Sequence, residues 1–292
     1  MKERSGCLSR RKSFIFTFFL IWSVSVKSLA DGFPFPIGAR SWGIGNASVA
    51  RSDYSSVSNN IAGLGGFSDA VFFSTYDSHY GFDGIHTLGF GGVLPVGDDL
   101  STGFSVQRFG DKLYNELALG VGAGHRIGRV SLGLRMNYLQ NAVNANTLTF
   151  SRKALVFEFG GIVQLSSQLF FGAHVFNLTQ SSYSGDYGSR VPTALRAGFS
   201  YSPQKNVQFS TEIEKNTDLP VSAKAGLEYQ VWKQLFLRTG IVSRPWTHHF
   251  GAGFKGRQFQ IDYAVHTHPQ LGWSHHISLA YHVWERKVKD RK

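Results

Sequence analysis

Residues Val221–Val231 read VSAKAGLEYQV, and their alternation settles how the chain is built. Val221, Ala223, Ala225, Leu227, Tyr229 and Val231 share one parity, while Ser222, Lys224, Gly226, Glu228 and Gln230 share the other. Successive side chains of a strand point to opposite faces, so this stretch has a greasy side and a polar side. The same period of two runs through VQFSTEI at Val207–Ile213, VSLGLRMNY at Val130–Tyr138 and ALRAGFSY at Ala194–Tyr201.

Extended along the chain, the period predicts fourteen strands, over 70–76, 85–95, 100–109, 113–125, 130–139, 154–164, 169–177, 193–201, 207–214, 221–231, 235–243, 247–255, 259–267 and 274–284. Tight polar turns such as VGDD, IGR and KGRQ follow the even strands. Longer segments, among them NAVNANTLTFSRK and LTQSSYSGDYGSRVP, follow most odd ones, with the short GDK as an exception. Short turns on one side of a bilayer and longer loops on the other are the habit of membrane barrels. A soluble sandwich also alternates, but has no reason to sort its connections by parity. In hydrocarbon every backbone N–H and C=O needs a partner, so half-apolar strands must close on themselves. The fold class expected is therefore all-β: a fourteen-stranded antiparallel transmembrane barrel.

Composition agrees. The chain carries 33 Gly and 25 Phe against 8 Pro, a balance suited to alternating aromatic strands with few interruptions. Residues 1–30 read as a secretory signal peptide: a basic start, the apolar run SFIFTFFLIWSVSV, then KSLA before Asp31. That run is too short for a spanning helix, and Cys7 precedes it, so the mature chain has no cysteine. Removing residues 1–30 lowers the net charge from +11 to +6, and part of the remaining excess is the tail ERKVKDRK. This is too little and too scattered for a nucleic-acid footprint. The resulting organisation is a signal peptide at 1–30, an N-terminal plug at 31–69, a barrel at 70–284 and a basic tail at 285–292.

The plug is read from GARSWGIGNASVARSDYSSVSNNIAGLGGF, Gly38–Phe67. GIGNAS looks like the opening of a dinucleotide loop, but Pro34 and Pro36 stand where a buried strand should lead in, and Ser48 replaces the third Gly. Fourteen strands enclose more space than inward side chains fill, and small residues let a chain approach the walls closely. The stretch resembles the N-terminal signature of FadL-type and PorV/PorQ-type outer-membrane proteins, of the form GAR..GMG.A.VA..D....NPAGLA. Gly38, Arg40, Gly43, Gly45, Asp53, Asn60 and Gly63 match it, while Ile44 and Ile61 replace its Met and Pro. HVFNLT at His174–Thr179 resembles a second element of these barrels. The resemblance implies a bacterial outer-membrane barrel with an N-terminal hatch. Its preferred branch implies a PorV/PorQ-like component of type IX secretion that binds translocon or cargo proteins. The alternative is a FadL-like channel for hydrophobic small molecules with lateral exit through the wall.

Charges on the polar faces, Arg135, Glu158, Arg196, Glu212, Lys224, Glu228, Arg238 and Asp262, are of mixed sign and are expected to pair across the lumen. His248, His249, His266, His268, His275 and His276 fall near two outer loops, and imidazole suits Zn, Cu, Ni or haem iron. Without an acidic or Cys co-ligand beside them, they read instead as polar loop residues near Trp246 and Trp273, so no metal or cofactor is expected. No G-x-S-x-G elbow and no H-E-x-x-H occurs, so the chain is read as non-enzymatic. Its expected partners are outer-membrane lipid and secretion proteins, or hydrophobic solutes, and no nucleic acid.

Overall fold

A computed structural model describes residues 36–82, 84–145, 148–184 and 189–285. The signal-peptide reading, and the tail beyond residue 285, lie outside these described residues. Fourteen strands follow one another: β1 (Asp69–Ser78), β2 (His86–Pro95), β3 (Leu100–Gly110), β4 (Tyr114–Ile127), β5 (Val130–Ala145), β6 (Leu148–Gln164) and β7 (Leu169–Phe176) form the first half. The second half is β8 (Ala194–Gln204), β9 (Val207–Asn216), β10 (Ser222–Gln230), β11 (Leu235–Ser243), β12 (Trp246–Lys255), β13 (Phe259–His268) and β14 (Gly272–Glu285). Each pairs antiparallel with its sequence neighbours, and β1 pairs with β14 to close the barrel. Closing the ring leaves no unpaired first or last strand among the described residues.

Alternation then sorts the side chains as the sequence reading expects. Leu134, Leu195, Ile213, Leu237, Phe250 and Ile277 project from the outside of the wall, and together with many others they form an apolar surface suited to lipid. Arg135, Glu158, Glu212, Glu228, Arg238 and Asp262 are buried on the inside.

Two expectations about the connections need correcting. NAVNANTLTFSRK is not a loop: β5 and β6 stay paired up to Ala145 and Leu148. Val143, Thr149 and Phe150 suit strands, and continuing the ladder satisfies backbone groups that a loop would leave to water. The other odd connections are short, at 111–113, 217–221, 244–245 and 269–271, so the sorting by length rests mainly on 79–85 and 177–193. The long connection has a structural cause. β7 stops at Phe176 while β6 continues beside it, and the free β6 edge is taken over by residues 178–184, with Leu178 N–H donating to Phe157 O and Ser184 N–H to Lys153 O, both at 2.8 Å.

Residues 36–68 run along the inward faces of the strands. They contain two short helices, α1 (Ala39–Gly43) and α2 (Ser56–Asn59), and a 3-10 turn at Ile61–Leu64. Ile37, Tyr54, Val57, Ile61 and Leu64 pack with Val71, Phe73, Val93 and Ala280 of β1, β2 and β14. Full burial of each such aliphatic side chain contributes about 2 kcal/mol. Backbone contact is closest where the wall has no side chain. A Cβ on Gly172, Gly226 or Gly240 would collide with the main chain at Val49, Ile44 or Gly45, respectively.

Candidate functional site

The lumen is built from three groups of residues. Across its middle runs a belt of charge. Arg135 lies 3.5 Å from Glu158, which also accepts from Asn137 Nδ2 and meets His174 Nε2 at 2.9 Å. Further round, Arg196 pairs with Glu214 at 3.0 Å, and Lys224 bridges Glu214 and Glu212 at 2.7 and 2.8 Å. Glu212 then turns to the N-terminal segment, where its Oε2 accepts the backbone N–H groups of Ser48 and Val49 at 3.0 and 2.9 Å. Glu228 pairs with Arg40, Arg51 and Arg238, and Arg238 reaches Asp262 at 2.7 Å. The eight lumenal charges named from sequence therefore fall into three linked clusters, two of which engage the segment.

Within the segment, Gly38 and Gly45 hold φ of +93° and +66°, a region that L side chains rarely adopt. Gly43 approaches the Gly251 backbone, and a Cβ on Gly63 would press on Arg51 O. Asp53 accepts from Ser55 N–H at 2.9 Å and lies 3.4 Å from Arg40 Nη1. Asn60 caps the 3-10 turn by accepting from Ala62 N–H, and its Nδ2 donates to Val49 O at 2.6 Å. Burial pushes the Tyr54 phenol up. Arg51, Tyr54 and Trp42 carry much of this contact, yet sequence reasoning singled out none of them.

The second group is aromatic. Among the six histidines considered together from sequence, His249, His266 and His276 lie on inward faces of β12, β13 and β14 and are buried, rather than standing in loops. His248 and His275 face out, where Trp246 Nε1 donates to His248 and Tyr263 meets His275, while His268 lies near Tyr80. The three inward rings surround Trp42, whose indole stacks on His276 at 4.1 Å and 12° and on His266 at 5.0 Å and 4° between centroids. Asp77 and His79 complete the group from the other side of the barrel seam. Their signal was inward parity on β1, extended one step past the strand's end. Burial pushes His79, in the turn after β1, down to about 4. Among the described residues no cluster is arranged to hold a metal ion.

The third group is apolar. Ala118, Leu139, Ala154, Val156, Phe176 and Ala194 line the inside of β4–β8, and Tyr183 and Val191 of the 177–193 connection fold down onto them. The Arg152 guanidinium stands 4.5 Å over the Tyr183 ring. This wall has no local signal in the sequence, because Ala and Val on otherwise polar faces look like spacers.

A closed fourteen-stranded barrel with a charged belt, an interior N-terminal segment and an apolar inner wall defines a distinct class of barrel. No protein-family model and no curated protein matches the sequence. In fold the chain is similar to a Pseudomonas aeruginosa FadL homologue, with a TM-score of 0.65 at 12% identity over 87% of this chain and 100% of that one. It is also similar to the P. putida toluene transporter TodX, with a TM-score of 0.64 at 11% identity over 84% of this chain and 99% of that one. A deltaS2 mutant of the TodX monoaromatic hydrocarbon channel gives 0.64 at 11% over 85% and 98%. The likeness is one of fold. The FadL half of the expected resemblance thus has structural counterparts, whereas none of these comparisons supports the PorV/PorQ branch.

Proposed function

We propose that the chain is an exported outer-membrane barrel that passes a small hydrophobic solute. The observation that carries this reading is the apolar inner wall of Leu139, Val156 and Phe176 under Tyr183 and Val191, placed beside the belt of charge. A lumen built solely as a seal could be polar throughout, since its interior faces are otherwise lined with ion pairs. At rest Tyr183 and Val191 cover this wall, so a hydrophobic guest would take their place against it, keeping apolar surface worth roughly 25 cal/mol per Å² out of water. The neighbours named as a toluene transporter and a FadL homologue support the same class of cargo.

The segment 36–68 acts in this reading as a plug that closes the lumen at rest. The secretion-component reading rests on the Gly38–Leu64 motif and on the many lumenal charges, which oppose movement of an apolar solute, and nothing in the comparisons adds to it. Co-purification of translocon proteins from native membranes would restore it.

The test is uptake of a labelled long-chain fatty acid and of toluene by cells with and without the protein. Val156→Glu places a charge in the apolar wall without touching the segment. Loss of uptake in this variant, with a heat-modifiable folded barrel, is the expected result. Equal uptake of both solutes by deletion and parent cells would remove the proposal.

A further inference from the structure

Trp42 closes the last turn of α1, and a row of polar groups lies flat beneath its ring. His276 Nδ1 is 2.7 Å from Asp77 Oδ1, and His276 Nε2 is 2.9 Å from His266 Nδ1. Hydrogen-bond polarity fixes the row. The Asp77 carboxylate accepts, so His276 donates from Nδ1 and accepts at Nε2, and His266 donates to it. That leaves His266 Nε2 to take an added proton. Asp77 and His276 are wholly buried, and Asp77 Oδ2 has no partner among the described residues. A buried carboxylate with no Arg or Lys beside it is costly, and one proton shared along the row cancels it. The indole face over the row favours that cation further.

A second proton would do the opposite. His249 stands 4.8 Å from His266, and His79 stands 6.0 Å from His276, between ring centroids. Either one, once charged, faces a row whose single carboxylate is already neutralised, inside a medium of low dielectric and with no second acid to balance the added charge. Other titratable groups approach from each packed element: Tyr80 from the turn, His86 from β2, His268 from β13 and Lys224 behind His249. Arg40 of α1 is committed to Glu228. None of these supplies a negative charge.

We propose that the row Asp77–His276–His266, with His79 and His249 beside it, is a proton-operated clasp on Trp42 that holds the N-terminal segment seated near neutral pH and loosens it in acid. The sign follows from burial. His79 titrates at about 4 in the seated state and near 6.5 once exposed to water, so the loosened state binds more protons between these values. Seating is fully favoured above about 6.5 and is lost as pH falls through that window.

The experiment is ion conductance of the full-length protein in planar bilayers between pH about 8 and about 4.5, which does not depend on the nature of any transported solute. Conductance is expected to rise about tenfold below pH about 6.5, and Trp42→Ala is expected to conduct at every pH. His79→Gln with His249→Gln should stay closed in acid, and His79→Gln alone, outside the strand ladder, should halve the logarithmic rise. Constant conductance across the range in a folded, heat-modifiable barrel overturns the clasp. So does an undiminished acid response in both glutamine variants.

Discussion

Arg40 grips Glu228 with two nitrogens, Nε to Oε2 at 2.9 Å and Nη2 to Oε1 at 2.6 Å, and so ties α1 to β10 across 188 positions of sequence. Glu228 is also shared with Arg51 at 2.8 Å and Arg238 at 2.5 Å. The two ends of the pair are therefore unequal. Arg40→Ala leaves Glu228 two partners and is expected to cost about 1 kcal/mol, because Arg40 is itself partly exposed. Glu228→Gln removes the charge that three guanidinium groups share, leaving Arg51 without its carboxylate while Arg40 keeps Asp53 and Arg238 keeps Asp262, and is expected to cost about 3–5 kcal/mol. Protease accessibility of residues 36–67 in urea measures both, and the reverse order would refute this account of the network.

The close approach of wall and segment gives a sharper comparison. Gly172→Ala and Gly240→Ala push a methyl into the main chain at Val49 and Gly45, respectively, and should each cost about 1–3 kcal/mol by overpacking. Gly161→Ala meets little besides Leu132, at 3.6 Å, and should be nearly neutral. Thermal melting of the three purified barrels makes the comparison, and equal melting temperatures would count against the packing described.

Asn177 holds the long connection in place. It is fully buried at φ +55°, its Nδ2 donates to Val191 O at 2.6 Å, and its Oδ1 accepts from Ser181 N–H at 2.8 Å. Asn177→Gly keeps the backbone conformation and loses the bonds; Asn177→Ala loses both. Limited proteolysis should cut 177–193 faster in the order parent, glycine, alanine, with about 1 kcal/mol between the last two. Identical cutting of glycine and alanine variants would show that the backbone conformation contributes nothing.

The lipid-facing reading of the wall predicts a position effect. Leu134 points out of the wall where β5 is paired with both β4 and β6, so Leu134→Arg should cost about 2–4 kcal/mol in a bilayer and lower the yield of folded barrel. Leu113, exposed in a turn, should accept Arg with little change. Heat-modifiability on gels reads both, and good assembly of Leu134→Arg would argue that this face meets water.

Much of this was legible in the sequence because a period of two is a local signal. Val221–Val231 announces its own two faces, and Lys224 and Glu228 land inside for that reason alone. The β5–β6 extension was missed because Leu139 falls on the polar parity and Gln140 and Asn144 on the apolar one, although the ladder continues through them. What parity cannot give is which inward residues meet. Asp77 and His276 are 199 positions apart and touch only because β1 and β14 close the barrel. Trp42 gave no signal at all, since an irregular segment has no period to place its side chains. The outward His248 and inward His249 look alike as neighbours in sequence, and only strand parity separates them.

The N-terminal segment has almost no structure of its own to fall back on. Its helices span 5 and 4 residues, far below the dozen or so that an isolated helix needs in water. Several of its backbone donors end on wall side chains, as Ser48 and Val49 do on Glu212. Residues 36–68 leave the ribosome before every strand, yet they cannot acquire their shape until β14 has sealed the seam with β1. Order of synthesis and order of folding run in opposite directions, and an escorting chaperone would have to keep the first residues extended until the final hairpin docks.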